Sequence, residues 1–175
     1  MGTPGGGLWD ACDVHPPAAL RITAVGYGDP DAAALVEAVQ EEYVVRYGER
    51  DATPVVPADF DPPAGTFLVA HLGDRPVASG AWRRREMTVL GESRVVEVKR
   101  MYVAPEGRRR GLARQVLAAL EASARESGAR AVVLETGVRQ PEAIALYESC
   151  GYQRIPAYGH YKDDPLCVCF ARRLG

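Results

Sequence analysis

The stretch from Val95 to Leu120 limits what this chain can fold into more than any other. Val95-Val96-Glu97-Val98-Lys99-Arg100-Met101-Tyr102-Val103 reads as a β-strand. Leu112, Val116 and Leu120 then recur at i, i+4 and i+8, which predicts a helix with one apolar face. The turn between them, Ala104-Pro105-Glu106-Gly107-Arg108-Arg109-Arg110-Gly111, is rich in Gly and Arg. At a strand-to-helix junction such a turn aims several backbone N–H groups at one spot, and the helix dipole and the arginines favour a phosphate there. The alternative is an ordinary connection with solvated arginines.

The rest of the chain supplies partners for this unit. Leu20–Val25 alternates as a first strand. Asp29-Pro30-Asp31 provides an N-cap, a first-turn proline and an acid for a helix to about Tyr47, with Leu35, Ala38, Val39 and Tyr43 on one face. Residues 51–65, with Pro54, Pro57, Pro62, Pro63 and Gly65, read as an irregular loop. Thr66–Leu72 and Pro76–Arg85 form two strands around a Gly73-Asp74-Arg75 turn, and Glu92–Val103 follows as a third. The helix from Leu112 stops at Ser127-Gly128; Ala131–Glu135 is a short buried strand, Pro141–Cys150 a short helix, and Tyr152–Ala157 and Leu166–Arg172 are closing strands. The order β-α-β-β-β-α-β-α-β-β implies an α/β (α+β) fold, a mixed sheet with helices on both faces.

Composition narrows the class. At 175 residues there is room for one well-packed domain, over residues 18–175, after a Gly- and Pro-rich leader at 1–17. The formal net charge of −2 gives no global reason to expect nucleic acid or an anionic membrane as partner. Basic residues do cluster, at Arg83-Arg84-Arg85 and Arg108-Arg109-Arg110. Cys12, Cys150, Cys167 and Cys169 match neither a paired-cysteine zinc spacing nor a secreted disulfide scaffold, so no metal is expected and the cysteines are read as reduced, in a cytoplasmic protein. Cys167 and Cys169 flank Val168 on a strand and should share one face. No run reaches the ~20 apolar residues of a membrane span, and no secretory signal opens the chain.

Two motifs then carry a family resemblance. Met101-Tyr102-Val103-x-Pro105 followed by Arg108-x-x-Gly111-x-Ala113 resembles the acetyl-CoA signature of the GNAT superfamily of N-acetyltransferases. Further on, Gln140-Pro-Glu-Ala143-Ile-Ala-Leu146-Tyr147-Glu-Ser-Cys-Gly151-Tyr152 resembles that family's second motif, with Gln140 where asparagine is common. The resemblance covers roughly residues 95–155 and implies a GNAT-type, mostly antiparallel sheet of about seven strands. It implies acetyl-CoA as co-substrate. The pyrophosphate would lie on Arg108, Arg109, Arg110, Gly111, Leu112, Ala113 and Arg114. The pantetheine would run along Met101, Tyr102 and Val103, which requires the sheet to splay open there. Gln140 and Tyr147 complete the expected cofactor contacts. A tyrosine at the place of Tyr147 can protonate the departing thiolate.

The acceptor side is less marked. Glu97 stands four residues before Met101, so simple alternation puts both on one face, and the resemblance makes Glu97 a candidate base, with Glu135 or water as competitors. The resemblance implies an acceptor pocket built from residues 47–65, the Trp82 to Met87 strand and 156–165, within which Tyr158 to Tyr161 and Arg83 to Arg85 are either pocket walls or solvated surface. The implied activity is acetyl transfer to a primary amine, most simply of a small molecule, by direct attack in a ternary complex. A protein or peptide acceptor, or a non-catalytic acyl-CoA-binding module, are the alternatives. Neither nucleic acid nor membrane is an expected partner, and a homodimer is compatible with the sequence.

Overall fold

The computed structural model describes residues 19–175, so the expected leader at 1–17 and Cys12 lie outside the described residues. Strands β1 (Leu20–Val25), β2 (Gly65–Leu72), β3 (Arg75–Arg85), β4 (Val95–Val103), β5 (Ala131–Gly137), β6 (Gln153–Ile155) and β7 (Cys167–Arg173) form one sheet in the order β1-β2-β3-β4-β5-β7-β6. Every pairing is antiparallel except β4 with β5. Helices α1 (Pro30–Tyr47), α2 (Leu112–Glu126) and α3 (Pro141–Ser149) cover its faces. This is the predicted order of elements.

Local chemistry accounts for the boundaries. Asp29 Oδ1 accepts a hydrogen bond from Asp31 N–H at 2.9 Å, and Pro30 opens α1, which ends where Gly48 turns left-handed at φ +88°. Strand β4 begins at Val95, three residues later than the Glu92 expected from the sequence. The cause is a tight Leu90-Gly91 turn, with φ +54° and +81°, which closes Val89 and Glu92 onto each other first. Tyr152 also falls outside its expected strand. Its ring turns inward and its hydroxyl donates to Glu121 Oε1 at 2.9 Å.

The two faces are packed differently. Under α2 and α3 lies the main core, where Trp82, Val96, Val98, Val132, Leu134 and Phe170 meet Val116, Leu117, Leu120 and Tyr147. On the opposite face Ala32 and Leu35 of α1 pack with Phe60, Phe67, Val69 and Ala81. Among the described residues no helix is long and apolar enough to cross a membrane.

Candidate acetyl-transfer site

The site is built around a split in the sheet. β4 and β5 pair only from Val95–Ala131 to Val98–Leu134, although β4 runs on to Val103 and β5 to Gly137. Beyond Val98, the β5-side edge of β4 therefore has no strand partner among the described residues. The resemblance requires such a splay for an extended ligand to pair with Met101 and Val103. A cleft of about 1060 Å³, mouth included, occupies the split. Val98–Met101, Glu135–Gly137, Gln140, Ala143, Tyr147 and Cys167 line it from the sheet and α3, and Tyr43, Tyr47, Asp51 and Tyr161 from α1 and the loops.

At the end of β4 the chain makes its Gly- and Arg-rich turn. Gly107 is buried under it, with a Cβ there meeting Leu112 Cδ1 and Val77 O at 3.1 Å. Arg109 and Gly111 adopt φ +62° and +73°, a sequence that turns successive N–H groups toward one side. Gly111 caps α2 with no side-chain hydrogen bond, leaving the first amides of the helix for an outside acceptor. Nothing of the protein lies within 4 Å of a Cβ built at Gly111. Glycine there thus answers to the left-handed backbone rather than to crowding by the protein. Split, turn and uncapped helix start together fit an acyl-CoA: a diphosphate on the turn, an extended arm along the open edge.

The expected cofactor residues are arranged as follows. Met101, Tyr102 and Val103 end β4, and Met101 and Val103 pack on the α2 side. Arg108 Nε donates to Val103 O at 3.1 Å and its Nη2 to Glu42 Oε2 at 2.6 Å. Arg109 and Arg110 are exposed, whereas Leu112 is buried beneath the turn. Ala113 is half-buried. Arg114 reaches α3, where it donates to Ser149 Oγ at 2.8 Å. Gln140 is the N-cap residue of α3, with its Oε1 accepting from Tyr47 Oη at 3.4 Å and Thr136 Oγ1 at 3.3 Å.

Tyr147 lines the cleft from α3 while its ring packs between Tyr152 and Phe170, with centroids at 5.8 and 5.9 Å. Burial raises its pKa well above the usual tyrosine value, so it holds its proton. Burial likewise pushes Tyr43 up to about 12.

Glu97 and Met101 do not share a face, contrary to simple alternation. Arg100 takes φ +56°, and the register of β3 and β4 slips between Ser79–Tyr102 and Ala81–Lys99. This bulge inserts a residue, so Met101 turns to α2 while Glu97 faces the other way. Glu97 is 1% exposed and is absent from the cleft lining. Its Oε2 accepts from Arg83 Nε at 2.9 Å, and Lys99 Nζ lies 3.4 Å from Oε1. Lys99 in turn holds Glu135 Oε2 at 2.7 Å, and Glu135 does line the cleft.

The arginine run is not a solvated edge throughout. Arg83 is buried and bound to Glu97, Asp59 and Pro54 O, while Arg84 is exposed and reaches Ser127 O. Of the Tyr158–Tyr161 segment, Tyr161 reaches the cleft and donates to Asp51 Oδ1 at 3.1 Å. Tyr158 packs instead with Val95, Val133 and Ala171. Asp51 also accepts from Thr53 N–H and from Arg100 Nη1 at 2.6 Å. Burial pushes its pKa up, but these hydrogen bonds outweigh it and hold the carboxyl below its usual value.

Tyr47, Asp51 and Tyr161 lie in the segments expected to border the acceptor pocket, whereas sequence reasoning missed Lys99 and Arg100 as cleft residues and took Tyr43 for core. The one signal available for Tyr43 was the Tyr43–Tyr47 pair, an aromatic i, i+4 stripe at the end of α1. Cys167 and Cys169 share a face as expected, with Sγ atoms 3.6 Å apart. Burial pushes the Cys167 thiol up to about 12.

Comparison with known proteins agrees with this geometry. Residues 32–152 match the family model described as the acetyltransferase (GNAT) family. The chain is 37% identical over 108 residues to an IAA acetyltransferase of Azospirillum brasilense, a match covering 62% of this chain and 67% of the relative. It is 32% identical over 114 residues to YsnE, an uncharacterized N-acetyltransferase of Bacillus subtilis, covering 64% of this chain and 72% of that one. Among solved structures, a Klebsiella pneumoniae protein provisionally named an acyl-CoA N-acyltransferase superposes with a TM-score of 0.74 at 31% identity, over 90% of this chain and 99% of that one. A Salmonella typhimurium structure solved with acetyl-CoA shares the fold, with a TM-score of 0.62 at 19% identity, over 90% and 95% of the two chains. The chain belongs to the GNAT family and is an acetyl-CoA-dependent N-acetyltransferase.

Proposed function

We propose that the acceptor is the primary amine of a small molecule, attacked directly in a ternary complex. The observation that carries this reading is the shape of the cleft. Tyr43 and Tyr47 of α1, Glu49, Arg50, Asp51, Thr53 and Tyr161 close around the split, so an acceptor has to enter a cleft walled by side chains rather than lie across an open face, which suits a small ligand better than a protein surface. Acetyl-CoA supplies the acetyl group as a thioester. The open edge of β4 and the Arg108–Ala113 turn bind it, and the aromatic walls exclude water around the reacting atoms.

Side chains of the cleft then handle two protons. Glu135 takes the amine proton, directly or through water, because it lines the cleft. Glu97, the sequence candidate for that role, sits behind Lys99 and acts by holding Lys99 and through it Glu135. Tyr147 Oη, kept protonated by burial, gives its proton to the leaving sulfur. A backbone N–H at the open edge of β4 stabilises the developing oxyanion.

The test is a panel of small amines, amino acids and peptides, scored by release of free CoA. Turnover of at least one small amine, with peptides inert, is the expected result. Turnover confined to peptides would overturn the small-molecule assignment. Binding of acetyl-CoA without turnover of any amine would support a non-catalytic module instead.

A further inference from the structure

We propose that Cys167, Cys169 and Glu135 form a binding site for one thiophilic divalent cation, such as zinc or cadmium, on the wall of the cleft. Spacing along the chain hides this site, because the third donor comes from a different strand. Cys167 and Cys169 lie on β7, and Cys169 is the register partner of Glu135 on β5. Side chains at i and i+2 of a strand leave the backbone about 6.6 Å apart. Yet the two Sγ atoms stand 3.6 Å apart, so the side chains lean toward each other. Glu135 Oε1 lies 4.0 Å from Cys167 Sγ, and the three donor atoms are all within 4.8 Å of one another.

These separations discriminate between two fates for the thiol pair. Two thiolates on a tetrahedral zinc, each bonded at about 2.3 Å, stand about 3.8 Å apart. The observed pair needs to shift by only about 0.2 Å to reach that separation. A disulfide would need the sulfurs to close to about 2.0 Å across a backbone spacing near the upper limit for such bonds. The geometry therefore favours a bridging cation over a bond.

The surroundings are also arranged for it. Lys99 takes Glu135 Oε2, which leaves Oε1 directed at the sulfurs and fixes the carboxylate as an outer partner fixes a metal ligand. Gly159 keeps the space over Oε1 clear, since a Cβ there would stand 3.2 Å from it. Two thiolates and a carboxylate around a dication leave one negative charge, which Lys99 offsets. Cys167 and Glu135 both line the cleft, so the fourth ligand position opens to it and takes water. If Glu135 also receives the amine proton as proposed above, an occupied site opposes transfer. Cation binding stands or falls separately from that role.

The test is a cadmium titration of the whole chain under reducing conditions, with Cys12 and Cys150 replaced by serine. It is followed by the thiolate-to-cadmium charge-transfer absorbance. One equivalent giving the absorbance of two thiolate bonds is expected, with the partly exposed Cys167 then protected from alkylation. Cys167→Ser and Cys169→Ser should each weaken binding by more than about 100-fold, beyond what loss of an outer partner costs. Far-UV circular dichroism checks that these variants fold. If one does not, alkylation protection in the Cys12 and Cys150 background decides. No charge-transfer band at saturating cadmium would overturn the proposal. So would a band that persists undiminished when both cysteines are serine, or a Cys167 thiol that stays open to alkylation.

Discussion

Single side chains in this protein are held by charge as much as by packing. Glu97 is buried against Arg83, which keeps Asp59 as a second, longer partner at 3.3 Å. Glu97→Ala should therefore cost about 3 kcal/mol, the lower end for breaking a buried pair. Urea unfolding at neutral pH checks this, and a loss under about 1 kcal/mol would mean that the network does not hold the fold. Asp51 gives a pH-dependent counterpart. Its folded pKa lies below its unfolded value, so its contribution is complete above roughly pH 4 and fades as the pH falls through the folded pKa. Asp51→Asn should be less stable than the parent at pH 7, with the difference shrinking below about pH 4. A constant difference across that range would remove Arg100 and Thr53 as the source of the effect. Neither pairing was legible in the sequence. Arg83 is 14 residues from Glu97, and Arg100 is 49 from Asp51, so only the folded chain brings them together. The positive φ at Arg100 carried no sequence signal either, and it alone reversed the expected facing of Glu97 and Met101.

Elements were far more legible than contacts, because period and capping act locally. Asp29-Pro30 started α1, and the i, i+4 leucines and valine of α2 faced the core as their spacing required. What the spacing did not show is where the end of α1 comes to rest. Glu42 binds Arg108, and Arg46 binds Glu142 of α3 and Arg139 O, so α1 spans the split from the turn to α3. If Arg108 binds the cofactor as proposed, the Glu42–Arg108 pair competes with its phosphate for the same guanidinium. Glu42→Gln should tighten acetyl-CoA binding by about two- to fivefold, the scale of a surface ion pair. Isothermal calorimetry reads this directly, and weaker binding would mean that Glu42 positions Arg108 for the ligand instead.

At the scale of the molecule, the decisive feature is that one parallel pair sits in an otherwise antiparallel sheet and comes apart after four residues. Seven strands are bound by long-range pairing, yet the two central ones are left open where the turn and α3 converge. The two sequence motifs located this place because each lies on one lip of the split: Met101–Ala113 on β4 and α2, Gln140–Tyr152 on and after α3. The cleft wall opposite them comes from the end of α1, Glu49 to Thr53 and the segment before β7, which have no shared motif; the sequence marked the two loops as pocket borders but not which of their side chains face the cleft. The central claim is that Tyr147 gives a proton across this split to the leaving sulfur. Steady-state kinetics and acetyl-CoA titration of Tyr147→Phe with an accepted amine test it most directly. The account predicts a kcat lower by about 100-fold with acetyl-CoA affinity within about twofold of the parent. An unchanged kcat at saturating substrates would contradict it.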